Sequence, residues 1–186
     1  MDVDVVRRRF TADQYLRMID TGILAKGDRV ELIEGEILEM GPTGPPHGAG
    51  LANLNRLLVL GVGSGAIVMP GATVRLSALS APEPDLMLLR PRQGSYRDRY
   101  IEPGDVLLIV EVSDTSLRRD RELKLPLYAR AGIPEVWIAD VQDQRVEVYR
   151  SPGPGAYASV RRIGQGESIA PVAFPDLVIS VDEVFV

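Results

Sequence analysis

The sequence predicts an α/β (α+β) fold: a mixed central sheet with helices on its faces, an N-terminal helix and β-hairpin before it, and extra C-terminal strands after it. Three observations carry this reading. The apolar run Val106 to Val112 suits a central strand, shorter strand-like segments recur on both sides of it, and two stretches of helical spacing fall between them.

Taken in order, Thr11 followed three residues later by Gln14 forms a capping box, and Tyr15, Met18 and Ile19 continue a short helix ending near Gly22. Residues 29–40 alternate as two strands about a tight turn at Glu34-Gly35. A Pro/Gly loop over 41–46 leads into a helix over about 47–60. Strands are expected at 66–69, 72–76, 85–89 and 106–112. A helix over 115–131 follows, closed by Gly132 and Pro134. Residues 136–139, 145–149 and 156–162 read as the remaining strands, broken by the turn-rich 151–155. No repeat or linker divides the chain, so a single domain over 1–186 is expected.

Composition narrows the chemistry. Without cysteine there is no disulfide framework, thiol nucleophile or cysteine-held metal, and the lone His47 rules out a multi-histidine site. No apolar run approaches the roughly 20 residues that span a bilayer, and Met1-Asp2-Val3-Asp4 lacks the character of a secretory leader. No membrane association and a cytoplasmic location are therefore expected. The formal charge of −5 argues against broad non-specific binding to nucleic acid, although arginines gather at 7–9, 90–99, 118–121 and 161–162. Each cluster taken alone reads as a solvated face.

Glu111 interrupts an otherwise apolar strand. Burying an ionised carboxylate without a partner costs several kcal/mol, so a cation, a metal or strong donors belong beside it, unless it lies exposed at a strand end. Asp85, after Pro84, stands at the mouth of a second strand; alone it reads as a turn residue. Paired with Glu111 it offers two carboxylates to a hard divalent ion such as Mg2+. On the following helix Leu117, Leu123, Leu127, Tyr128 and Ala131 share a face that also contains Lys124, which turns the lysine toward the sheet. An i,i+4 ion pair with Asp120 would satisfy it without chemistry. Pro126, inside this helix, removes a backbone donor and predicts a bend.

These residues resemble the PD-(D/E)XK nuclease superfamily and, more narrowly, the Uma-two family of restriction endonuclease-like proteins. The resemblance covers most of the chain. It rests on the stretch 30–37, His47 opening a helix, Pro84-Asp85-Leu86, Val110-Glu111-Val112-Ser113, and Lys124 ahead of 127–137. The usual Glu-X-Lys would put lysine at 113, where this chain has Ser113; the narrower family implies that Lys124 has taken its place from the helix. The implied fold is a restriction endonuclease-like core, and the implied activity is metal-dependent endonucleolytic hydrolysis of DNA. Asp85, Glu111 and the backbone carbonyl of Val112 would hold Mg2+, for which Mn2+ substitutes. Lys124 would orient water or stabilise developing charge, and His47 would assist. Glu31 and Glu36 line the site or face solvent.

Two other readings use the same residues. One is a nuclease-like DNA- or protein-binding module without catalysis, suggested by Ser113 and Pro126; the other is a glycosidase with Asp85 and Glu111 as its acid/base pair. Duplex cleavage by a one-site nuclease favours a homodimer, for which Val146, Val148 and Tyr149 offer strand surface.

Overall fold

The computed structural model describes residues 7–25 and 27–186. Met1-Asp2-Val3-Asp4, which bore on location, lies outside them. Helix α1 (Ala12–Asp20) begins with the expected capping box: the Thr11 hydroxyl accepts from the Gln14 N–H, and the Gln14 side chain accepts from the Thr11 N–H. Strands β1 (Val30–Ile33) and β2 (Glu36–Glu39) pair antiparallel. Their turn places Glu34 at φ 49° and Gly35 at φ 86°, the left-handed pair of a tight hairpin whose twist matches the strands.

Helix α2 (Pro45–Val62) starts two residues earlier than expected, because Pro45 and Pro46 occupy its first turn, where a missing N–H leaves nothing unsatisfied. Next come β3 (Ile67–Pro70), β4 (Leu86–Leu89) and β5 (Val106–Ser113). The strand expected over 72–76 does not form. Val74 N–H donates to Pro82, Arg75 to Ile101 and Leu76 to Ser80, so the backbone bonds of this stretch go to different segments instead of one ladder.

Beyond β5 the expected single helix is three pieces: α3 (Leu117–Arg119), a π turn (Asp120–Lys124) and α4 (Leu125–Arg130). Strands β6 (Glu135–Asp140), β7 (Arg145–Pro152) and β8 (Tyr157–Ile163) follow, then the short pair β9 (Ser168–Ile169) and β10 (Ile179–Ser180), and α5 (Val181–Val184).

The central sheet has the order β3-β4-β5-β6-β7-β8. It is mixed: β5 and β6 run parallel across the α3–α4 crossover, and every other neighbouring pair is antiparallel. Helices cover both faces. On one, Leu54 and Leu58 of α2 and Val181 and Val184 of α5 pack on Leu86, Val110, Trp137 and Val148. On the other, Leu127 and Tyr128 of α4 pack on Met87, Ile109, Ile138 and Tyr149. Each such aliphatic side chain contributes about 1.5–3 kcal/mol by leaving water. The hairpin and α1 enclose a third cluster of Ala12, Tyr15, Leu16 and Leu32.

Two expectations fail in this core. Val146 and Val148 are buried in the cluster on one face of the sheet and Tyr149 in the cluster on the other, so they present no dimer surface. Leu123 is 44% exposed, because the π turn carries it off the apolar face.

Candidate active site

Strand direction brings the carboxylates together. Since β4 runs antiparallel to β5, the start of one lies beside the end of the other; the two-residue period places Glu111 on the α4 face of the sheet, and Asp85 stands at the entry to β4 beside it. The Val112 N–H points toward β4 and donates to Asp85 Oδ2 at 2.7 Å. The same oxygen lies 3.2 Å from His47 Nε2, which α2 presents from its first turn. That hydrogen bond raises the His47 pKa above its ordinary value, against the opposing effect of burial.

Glu111 is 2% exposed, and both its oxygens accept hydrogen bonds. Lys124 Nζ lies 3.0 and 3.2 Å from its two oxygens, and the Tyr128 hydroxyl donates to Oε1 at 2.5 Å. Lys124 Nζ also lies 3.4 Å from Glu31 Oε2 and donates to the Glu83 carbonyl at 3.5 Å. Glu31 in turn accepts from Arg119 Nη2 at 2.6 Å. The lysine is thus held by the pair of carboxylates it faces, and Asp120 is committed elsewhere, accepting from the hydroxyls of Ser113 at 2.7 Å and Ser116 at 2.6 Å. The helical ion pair that would have made Lys124 chemically idle does not form.

Burial pushes the Glu111 carboxyl up, and the Lys124 ammonium facing both its oxygens pulls it down. Burial draws the Lys124 ammonium down, but Glu111, Glu31, Asp120 and Asp85 more than offset this and leave it raised. Lys124 therefore remains a cation at neutral pH: it can donate hydrogen bonds and screen negative charge, and it is not a base. The Tyr128 hydroxyl, buried against Glu111, is held well above its ordinary value and serves only as a donor.

Glu31, His47, Asp85, Glu111, Arg119 and Lys124 line a cavity of about 90 Å³ whose rim includes Gly41, Pro42, Thr43 and Gly44. Its carboxylates, Glu31, Glu83, Asp85, Glu111, Asp114 and Asp120, outnumber the cations Arg29, Arg119 and Lys124. The donor set fits a hard divalent ion. Mg2+ takes one or two carboxylates and completes its shell with water, and Asp85 and Glu111 lie together at this cavity. Among the described residues no three acidic or imidazole side chains form a ready cage.

All four side chains singled out in the sequence, His47, Asp85, Glu111 and Lys124, meet at this cavity. Sequence reasoning missed Arg119 and the Tyr128 hydroxyl, and left Glu31 undecided. Glu36, by contrast, lies exposed on β2 and does not line the cavity.

A mixed sheet covered on both faces, with polar groups gathered where β4 and β5 meet, defines a nuclease-like α/β fold. A crystal structure of a putative nuclease belonging to DUF820 from Anabaena variabilis ATCC 29413 is similar over 95% of this chain and 97% of that chain, with a TM-score of 0.74 and 17% identity. At that identity the likeness bears on the fold alone. The type IIG restriction endonuclease BpuSI shows a looser likeness, with a TM-score of 0.40 and 19% identity, over 75% of this chain and 15% of that chain. No curated protein matches the sequence. The family Uma2, described as "Putative restriction endonuclease", matches residues 12–182, and the chain belongs to it.

Proposed function

We propose that this protein is a metal-dependent endonuclease that hydrolyses DNA phosphodiester bonds, with Asp85, Glu111 and the Val112 carbonyl holding Mg2+ or Mn2+. The observation that carries the reading is the buried ammonium of Lys124, 3.0 Å from Glu111, a fixed cation beside a cluster of oxygen ligands. A divalent ion there would acidify a bound water and offset charge on the phosphate. The chain's own residues do the rest. Lys124, a permanent donor, orients the attacking water or neutralises charge developing on the non-bridging oxygens. Tyr128 and Lys124 fix the Glu111 carboxylate, while the Val112 N–H and His47 fix Asp85. Arg119 balances Glu31 and so keeps a second carboxylate beside Lys124.

The excess of acid around the cavity supports the metal requirement, since a phosphodiester would otherwise meet net repulsion. The test is cleavage of linear, branched and single-stranded DNA with Mg2+ or Mn2+. Metal-dependent cleavage should fall by at least ~100-fold in Glu111→Ala and in Lys124→Ala. Folded protein that binds DNA and cuts none of these substrates would instead support the non-catalytic binding module.

A further inference from the structure

The helix after β5 carries two features that belong together. Leu125 N–H donates to the Asp120 carbonyl five residues back, closing a π turn, and Pro126 follows directly. In an unbroken α-helix the ring of Pro126 would strike the carbonyl of Glu122, four residues earlier, and that carbonyl would lose its donor. Widening the turn by one residue removes the conflict.

The wider turn also changes which side chains share a face. Arg119 and Lys124 are five residues apart. In an α-helix, at about 100° per residue, they would point about 140° away from each other. A turn closed over five residues stacks them instead. Both in fact reach one carboxylate: Arg119 Nη2 lies 2.6 Å from Glu31 Oε1 and Lys124 Nζ lies 3.4 Å from Glu31 Oε2, with Lys124 also on Glu111.

We propose that Pro126 is a positioning residue: by forbidding a continuous α-helix it holds the π turn that puts Arg119 and Lys124 on one face, against Glu31 and Glu111. The sequence contains two lysines, Lys26 and Lys124, so a lysine-labelled protein gives two ammonium signals, assigned with Lys26→Arg. In the wild type the Lys124 ammonium, 6% exposed and held by carboxylates, should exchange slowly with water. Pro126→Ala lets the α-helix close, and exchange at Lys124 should become at least tenfold faster. Deleting Leu123 in the Pro126→Ala protein makes the Arg119–Lys124 spacing four residues, which share a face in an α-helix, and exchange should return to within twofold of wild type.

A Pro126→Ala protein whose Lys124 still exchanges within twofold of wild type overturns the proposal. So does a deletion variant that fails to fold or keeps a fast-exchanging ammonium. If Pro126→Ala itself does not fold, the deletion variant decides. Cleavage should follow the same pattern, with kcat falling at unchanged KM and then recovering. That arm rests on the nuclease reading, whereas the exchange measurement stands without it.

Discussion

Lys124 and Glu111 are an ion pair between two side chains that water hardly reaches, at 7% and 3% exposure. Such a pair adds little net stability, since desolvating both charges costs about what their attraction returns, yet removing one partner strands the other. Lys124→Met should therefore lower unfolding free energy by about 3 kcal/mol, softened by the hydrogen bond that Tyr128 still donates. Adding Glu111→Gln should recover most of that loss, as read by urea unfolding. Recovery would mark the pair as one kept for chemistry; two independent losses would mark it as a stabilising contact. Ser113 belongs to the same cluster. Its hydroxyl ties Asp120 to the end of β5 through a buried hydrogen bond.

Glu147 joins three elements. It is buried on β7 and accepts from Arg121 of the π turn at 2.8 and 2.7 Å, from Arg162 of β8 at 2.8 Å, and from its neighbour Tyr149 at 2.6 Å. Burial alone would raise its carboxyl, and these donors override that and hold it down at about 2. A carboxyl of lowered pKa contributes stability that is complete above its unfolded value, near 4.5, and that fades as pH falls toward 2. Glu147→Gln should flatten the acid limb of a melting-temperature profile between pH 4.5 and 2, and an unchanged limb would place the acid sensitivity elsewhere.

Short-range signals were legible element by element: the Thr11 capping box, the Glu34-Gly35 turn, the apolar β5 and the inward side of Lys124. The π turn was not, because a 3.6-residue period applied across Pro126 keeps Leu123 on the buried face, and the sequence does not say where the extra residue is absorbed. Nor were Arg119 and Glu31, whose contact spans 88 positions and depends on the hairpin folding against the crossover helix. Tyr128 read as a core aromatic, and by area it is one; its hydroxyl became informative only when Glu111 was found beneath it.

Across the molecule, charge is distributed by pairing. The arginine clusters that looked like solvated faces are largely tied to carboxylates: Arg92 to Asp98, Arg99 to Asp105, Arg119 to Glu31 and Arg121 to Glu147. This leaves a protein of net charge −5 with its acid excess concentrated at the cavity, where a divalent ion would relieve it. The sheet itself ends at β8, whose outer side has no neighbouring strand among the described residues and whose Val160 is 46% exposed. Arg161 and Arg162 follow it directly, and a guanidinium on an open edge makes pairing with another chain's strand electrostatically and sterically poor. Arg161→Val, opposite Val148 in the register, should leave the melting temperature nearly unchanged but bring on turbidity during mild heating. On this prediction the last full strand of the sheet also governs how well concentrated protein stays dispersed.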